Sequence, residues 1–298
     1  MDKAEARGLI DQAYEAWDKE EWARAAELYE RVLAHFPDEE PSAAWWYDAA
    51  LAHKFLRDWD KAYALGKEAA ARAERGTNDP AFWNLGIAAT ILRDWATARD
   101  AWDGFGIALN PGEGPIEQDL GPVAVRLDTD GQQEVVWGRR LCPTRARVLN
   151  VPVTGGRRFG EIVVHDGAPN GERVSGGNTY PVFDELLLFE PSDLPTWQAT
   201  VSVAQEADLE ALLELFTEHD FGAEPASAVR MLCACCSEGT VETAESVESG
   251  EGNGGTLHAG AQTVSFAAPE AETRRLLDDW AATGPGREWS GLEAADTA

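Results

Sequence analysis

Basic residues are scarce in this sequence. Its 298 residues include 25 lysines and arginines but 53 aspartates and glutamates, so the net charge at pH 7 is −28. A charge of this sign repels the phosphate groups of nucleic acids, which argues against DNA or RNA as the main partner. The same charge attracts basic protein surfaces, so we expect a protein partner, of basic charge if electrostatics selects it.

Cysteines and long apolar runs are also few. The chain has four cysteines, Cys142 and three between residues 233 and 236, whereas a secreted disulfide framework would distribute them through a smaller chain. No apolar run reaches the roughly 18–20 residues that a membrane span needs. Residues 1–10 lack the basic and then apolar pattern of a secretion signal. These absences predict a cytoplasmic protein with reduced thiols and no membrane partner.

Hydrophobic residues, in contrast, make up 44% of the chain, which is enough for packed cores and too much for general disorder. Changes in periodicity divide the chain into three predicted domains, over residues 1–112, 113–195 and 196–298, and this number fits the length. The first segment has helical spacing, and strand patterns appear in the other two. The expected fold class is multidomain α+β.

The first segment contains an internal repeat. An acidic residue followed by tryptophan occurs at Glu21-Trp22, Asp58-Trp59 and Asp94-Trp95. An alanine follows each tryptophan by three residues, and a small residue lies in the helical stretch before it; these positions are Ala25, Ala62, Ala98, Ala13, Ala50 and Gly86. Because small residues let helices approach closely, the pattern predicts paired helices in which the three tryptophans are packing residues.

This pattern resembles the tetratricopeptide repeat (TPR), a helix–turn–helix unit of about 34 residues, over residues 1–112. The resemblance implies three repeats whose first helices line a groove that holds a partner polypeptide. The residues it places in that groove are Tyr14, Trp17, Tyr47, Leu51, Lys54, Trp83, Ile87 and Thr90. One departure is Gly66, which stands where the second repeat should carry an aromatic residue.

The middle segment, 113–195, alternates in the manner of β-strands. Short strands are predicted over residues 123–127, 134–140, 147–153, 161–165 and 182–189. Glycine-rich turn signals separate them, among them Asp166-Gly167 and Asn170-Gly171. Strands at this spacing predict a small β-sandwich or β-barrel.

The last segment, 196–298, mixes strands and helices. Strands are predicted over 196–203, 228–236, 257–267 and 287–292, helices over 207–219 and 271–283, and an acidic, glycine-rich loop over 237–255. The order βαββαβ predicts a ferredoxin-like domain.

A cluster of arginines occurs in the middle segment of this acidic chain. Its candidate residues for an anion-binding or partner-binding patch are Arg139, Arg145, Arg147, Arg157 and Arg158. Arginine binds carboxylate and phosphate groups through two parallel hydrogen bonds. The alternative is pairing with the acidic flanking domains. Adjacent residues of a strand face opposite ways, so Arg139 and Arg140 should not share a face.

One candidate metal set is Cys233, Cys235, Cys236 and His258. In the predicted topology Cys236 ends one strand of a hairpin and His258 begins the next, and thiolate with imidazole suits zinc. No Cys-x-x-Cys pair supports the site, and small thiols on a strand also serve as core residues. We therefore expect no cofactor other than, at this set of residues, a zinc ion.

Catalytic motifs are missing. His165-Asp166-Gly167 offers a base with a helper but no paired nucleophile, and neither a Gly-x-Ser-x-Gly nor a phosphate-loop motif occurs. We therefore expect no catalytic residues and a non-enzymatic adaptor or regulatory protein that binds a protein partner through the repeat groove. Two alternatives are an acidic immunity-type inhibitor of a basic toxin or nuclease, and a metal-dependent or redox sensor using the cysteine cluster.

Overall fold

The computed structural model describes residues 1–226 and 259–295. The chain divides into two compact units, Met1–Gln118 and Asp119–Ala298. The predicted mixture of helices and sheets is confirmed, with two sheets in the described residues. The first observed division lies close to the predicted one at 112, and the predicted boundary at 195 falls inside the second unit. None of the helices in these ranges has both the length and the apolar character of a bilayer span.

The first unit contains six helices that pack in chain order, each against the next. They are α1 (Lys3–Asp18), α2 (Trp22–Leu33), α3 (Ser42–Phe55), α4 (Trp59–Ala70), α5 (Pro80–Ile91) and α6 (Trp95–Phe105). Turns of three residues join α1 to α2, α3 to α4 and α5 to α6. Short turns of this kind make neighbouring helices pack as hairpins.

The three short turns share one backbone geometry. The middle residue of each, Glu20, Arg57 or Arg93, has a φ of 57–60°, in the left-handed region that ends many helices. The acid that follows then stands just before the next helix. In two of the turns, Asp58 and Asp94, its carboxylate accepts a backbone N–H from the first helical turn, at 3.2 and 3.1 Å. The acidic–tryptophan repeat is thus the signature of a helix start.

Small residues bring the helices of each hairpin together. Ala13, Ala25 and Ala98 are fully buried. At Gly86 on α5 the fit is closest, because a Cβ there would lie 2.6 Å from the Trp102 ring of α6. A side chain at this position would therefore force the indole or the helix to move.

We predict that Gly86→Ala destabilises the protein by roughly 1–3 kcal/mol, because overpacking outweighs the gain in helix propensity. Gly8→Ala in α1 is the matched control, since nothing lies within 4 Å of its added Cβ. That variant should gain about 0.5–1 kcal/mol. Denaturant unfolding of both variants measures the difference, and equal effects would contradict the close packing at Gly86.

The second unit begins with a closed barrel of five strands in chain order. They are β1 (Pro122–Thr129), β2 (Gln132–Cys142), β3 (Arg145–Val148), β4 (Ile162–Ser175) and β5 (Asn178–Glu190). Successive strands are antiparallel, and because their number is odd the closing pair β1–β5 runs parallel. Val125, Leu127, Val136 and Val163 belong to the core cluster of this barrel.

Two predicted turns in this region are wrong. Asp166-Gly167 and Asn170-Gly171 lie inside β4, where the pairing with β5 shifts register repeatedly between Val164 and Glu172. Bulges accommodate the extra residues and let one long hairpin continue through two turn-like dipeptides. The turn of this hairpin lies at Gly176-Gly177, where both glycines have positive φ.

In the described residues that follow, there is a four-stranded antiparallel sheet with two helices. Its elements are β6 (Thr196–Val203), α7 (Glu206–Glu218), β7 (Gly222–Pro225), β8 (Gly260–Ala267), α8 (Glu270–Ala282) and β9 (Glu288–Ala294). The strand order is β7-β8-β6-β9. Strand β6 has the predicted bounds, and β7 lies in residues for which no strand was predicted. The strand predicted over 228–236 and the loop predicted over 237–255 are outside the described residues.

The two faces of this sheet differ in polarity. Val201 and Phe266 point into a core that includes Leu209 and Phe216 of α7 and Leu276 of α8. Alternate residues of β6 and β8 face away from that core, and they are mostly threonine, serine and glutamine. One face is therefore a packed core and the other a polar surface.

Candidate functional site

The predicted groove residues differ widely in exposure. Tyr14 is 47% exposed, and Trp17, Tyr47, Leu51 and Trp83 are half-buried. Three others are buried: Lys54, Ile87 and Thr90. Ile87 and Thr90 have 0% exposure, so their prediction as groove-lining residues is corrected. Helix α5 carries no charged residue, and a helix that is apolar on every side is buried.

A pocket of about 410 Å³ lies at the first repeat. Its apolar walls come from α1, from the start of α3 and from the segment between α2 and α3; they are Ala6, Ile10, Tyr14, Phe36, Pro41 and Trp45. The size falls in the range of sites that bind small molecules or single large side chains. Tyr14 is the one predicted groove residue that lines it.

Two cations and one carboxylate stand among the lining residues of this pocket, Lys3, Arg7 and Glu39. Lys3 and Glu39 form an exposed ion pair at 3.1 Å. Arg7 is exposed, and no carboxylate within the described ranges pairs with it. An apolar pocket beside a free guanidinium can accept a large apolar side chain together with a carbonyl or carboxylate oxygen.

A buried hydrogen bond between Tyr29 and Asp48 lies beside the pocket residue Tyr14. The Tyr14 ring packs edge-on against Tyr29, with 6.2 Å between ring centres. Burial and the nearby Asp48 carboxylate raise the pKa of Tyr29, whose hydroxyl donates to Asp48, and burial also raises the pKa of Asp48. This hydrogen bond connects α2 to α3. It also fixes the position of the Tyr29 ring, against which the Tyr14 ring packs.

The five predicted patch arginines are not brought together. Arg145 is buried with its guanidinium over the Phe189 ring, and Arg157 is buried between carboxylates. Arg139 and Arg147 are exposed and lie opposite each other on β2 and β3, and Arg158 is half-buried. The single patch is therefore corrected to one exposed pair, Arg139 and Arg147, because Arg145 and Arg157 are buried against partners of their own.

Arg157 forms the most extensive buried ion-pair cluster described. Its Nε donates to Glu161 at 2.9 Å, and its two terminal nitrogens donate to the two oxygens of Glu185 at 2.6 and 2.8 Å. All three side chains are less than one-tenth exposed. Burial raises the pKa of Glu161 against the opposing pull of Arg157. The cluster fixes the chain where it enters β4.

Two further carboxylates, buried Glu134 and half-buried Glu224, hold the preceding segment, and sequence reasoning missed both. Glu134 accepts the backbone N–H groups of Val153 and Thr154, the latter at 3.0 Å. Glu224 of β7 accepts from Val151 N and from the Asn150 side chain, both at 2.9 Å. Burial raises the pKa of Glu224. Residues 150–157 are thus anchored to both the barrel and the sheet.

These anchors leave a second pocket, of about 430 Å³, between residues 152–157 and the polar face of the sheet. Its floor includes Thr196, Gln198, Thr200, Thr263 and Ser265, and the end of β9 closes one side. The pocket is bounded mainly by hydroxyl, amide and peptide groups. The sequence features that accompany this pocket are the glycine-rich stretch Thr154-Gly155-Gly156 and the polar alternation of β6.

His165 cannot serve as an exposed general base. It is 1% exposed, its Nδ1 lies 2.7 Å from the carbonyl oxygen of Asp166, and its ring packs beside Phe183. Burial lowers its pKa to about 4. The imidazole is neutral at pH 7 and belongs to the interior of the barrel region.

The predicted metal set, Cys233, Cys235, Cys236 and His258, lies outside the described residues. Across residues 1–226 and 259–295, no three histidine, cysteine or acidic side chains cluster in a way that could hold a metal ion. Cys142 is a buried free thiol, and burial raises its pKa.

Comparison of the chain with models of known protein families and with curated protein sequences found no match. Its function must therefore be argued from the geometry of its own sites.

We predict that Arg157→Met lowers the free energy of unfolding at pH 7 by about 3–5 kcal/mol, because Glu161 and Glu185 would remain buried without their cation. In the variant, loss of the cation raises the pKa of the Glu161 carboxyl further. The variant's native state then binds more protons than its unfolded state, so part of the loss is regained as the pH falls from 7 to 5. Denaturant unfolding at both pH values measures this. Arg158→Met is the control, and an equal loss in both variants would contradict the cluster's role.

His165 should make the native state sensitive to acid. Its pKa is about 4 in the folded chain and about 6.5 when unfolded, so the unfolded state takes up the proton first. Stability is then lost as the pH falls from about 6.5 towards 4, by up to about 3 kcal/mol. We predict that His165→Phe loses less stability over this window than the natural protein. His35→Phe, at an exposed histidine, should leave the pH profile unchanged.

Proposed function

We propose that this chain is a non-enzymatic adaptor of the TPR class that binds a protein partner at the first repeat. The observation that carries the proposal is the apolar pocket between α1 and α3, with the exposed Tyr14 ring on its wall and the free Arg7 at its rim. Aromatic side chains and arginine are the residues that most often dominate protein interfaces.

The recurring turn geometry supports the TPR assignment. Three turns with the same positive φ, followed by an acidic residue and tryptophan at the start of the next helix, define one structural unit used three times. Stacked repeats of this kind present a continuous surface made by their first helices. The buried state of Ile87 and Thr90 leaves Trp83 as the one predicted groove residue of the third repeat with exposed atoms, whereas the first two repeats offer Tyr14, Trp17, Tyr47 and Leu51.

The second unit supports a division into a small barrel and a ferredoxin-like domain. The order β7-β8-β6-β9, with one helix after β6 and one after β8, is the arrangement expected of a βαββαβ chain. Under this proposal the second unit adds a separate binding function to the adaptor.

The partner segment that fits the pocket carries one large apolar side chain. That side chain would contact Ile10, Phe36 and Trp45, while Arg7 donates to a neighbouring carbonyl or carboxylate oxygen. The long-range field of a chain with charge −28 favours a partner that is basic elsewhere on its surface. Short-range apolar contact and long-range attraction thus act on different parts of the same partner.

The test is a double variant, Tyr14→Ala with Arg7→Glu. The matched control is Leu92→Ala with Arg31→Glu, which changes an exposed leucine and an exposed arginine of the same unit outside the pocket. We expect proteins retained by the natural chain and by the control to be lost from the pocket variant in quantitative pull-down. Titration of the purified partner should then show at least a tenfold weaker Kd for the pocket variant.

An unchanged partner list and an unchanged Kd for the pocket variant would reject the first repeat as the binding site. Circular dichroism of both variants checks that neither result comes from unfolding.

A further inference from the structure

We infer that the polar pocket of the second unit binds a small polyhydroxylated molecule of the sugar or polyol class. The pocket has a volume of about 430 Å³ and lies between residues 152–157, the polar face of β6 and β8, and the end of β9. It shares no residue with the pocket of the first repeat. This binding function is therefore independent of the adaptor function proposed above.

The floor of the pocket is a sheet surface made of hydrogen-bonding side chains. Thr200 and Thr263 are exposed and directly opposite each other on β6 and β8. Gln198 and Ser265 form the next pair along the strands and contact each other at 3.5 Å. Hydroxyl groups both donate and accept hydrogen bonds, so neighbouring hydroxyls on a strand pair can bind a ligand that also carries hydroxyls at short intervals.

Residues 152–157, which form one wall of the pocket, add backbone N–H groups as hydrogen-bond donors. Arg157 N donates to Thr154 O at 3.3 Å and closes a turn in which Gly156 has a φ of 78°. Within the described part of the chain, nothing accepts a hydrogen bond from the N–H groups of Gly155 and Gly156, both of which line the pocket. Buried Glu134 holds Thr154, and the carboxylates around Arg157 hold the other end. The two free donors are thus fixed in place and can bind ligand oxygens.

The charges around the pocket exclude an anionic ligand. Among the described residues that line the pocket, Arg157 is the only cation, and Glu161 and Glu185 more than neutralise it. The lining also includes the exposed carboxylate residue Glu293. A phosphate-bearing ligand would meet net negative charge here.

The lining residues also exclude ligands that depend on stacking. Within residues 1–226 and 259–295, no aromatic side chain lines the pocket, and planar nucleobases are held largely by aromatic stacking. What is left is a neutral ligand whose surface is rich in hydroxyl groups, of a size that a pocket of this volume admits.

The experiment uses the full chain and a set of named probes: glucose, maltose, N-acetylglucosamine and sorbitol, with glucose 6-phosphate as the anionic counterpart. Binding is followed by amide chemical-shift changes on titration. We expect at least one neutral probe to bind saturably with shifts at residues 154–156, 200 and 263, and glucose 6-phosphate to bind at least tenfold more weakly than glucose or not at all.

The deciding variant is Thr200→Val with Thr263→Val, which removes two hydroxyls and keeps the β-branched shape. It should bind the same probe at least tenfold more weakly, because it lacks two of the hydroxyl groups that bind the ligand. Ser202→Ala is the matched control, on the same face of β6 but outside the pocket, and it should bind as the natural protein does. Thermal unfolding confirms that both variants are folded.

Three results would overturn the assignment: no saturable shift with any neutral probe, equal binding of glucose and its phosphate, or undiminished binding by the double valine variant. Each is independent of partner binding by the first unit, because Tyr14→Ala with Arg7→Glu leaves this pocket unaltered.

Discussion

Buried charge holds the second unit in the shape that creates its pocket. Arg157 lies between Glu161 and Glu185 with all three side chains nearly inaccessible, and Glu134 and Glu224 hold the residues before it by their backbone N–H groups. Removing charges from water is unfavourable unless each is paired, so such a cluster stabilises only the one arrangement in which every partner is present. The segment 150–157 is therefore fixed although it is neither helix nor strand.

The first unit relies on a different constraint, the close approach of helices at small residues. Where Gly86 meets Trp102, no larger residue fits, and the same position in the other hairpins is alanine. Close packing of this kind leaves few apolar atoms for a partner at α5, in which eight of the twelve residues are buried. An accessible apolar pocket lies at the first repeat, where the Tyr14 ring of α1 is exposed.

The acidic and basic residues of this protein differ in their surroundings. Most acids are at the surface, where they act as a long-range field, whereas several arginines of the barrel pair or stack with neighbouring groups; Arg126 with Asp184 and Arg173 over Trp137 are examples. Arg7 of the first unit, in contrast, has no ion-pair partner among the described residues and lies beside an apolar pocket. A single free cation in an acidic surface can select one orientation of a bound segment, because its field is locally opposite to that of its surroundings.

Local patterns in the sequence determined much of this protein. The acidic–tryptophan repeat marks helix starts because it combines a capping carboxylate with a packing ring, and the alternation of β6 separates core from polar face within eight residues. Both are short-range effects that a reader of the sequence can derive. The turns predicted at Asp166-Gly167 and Asn170-Gly171 are wrong because that prediction used local preference alone. These dipeptides favour turns locally, but the pairing of β4 with β5 over a long hairpin favours bulges.

Only the tertiary structure decided which polar residues meet. Glu134 and Glu224 are 90 positions apart, and nothing local marks either as an anchor for residues 150–154. It also separated the five arginines that looked like one patch, since burial and pairing depend on neighbours from other strands. Helix caps and strand faces depend on residues that are neighbours in the chain. Ion pairs and pockets depend on residues that are neighbours in space, so the sequence specifies them only through the complete fold.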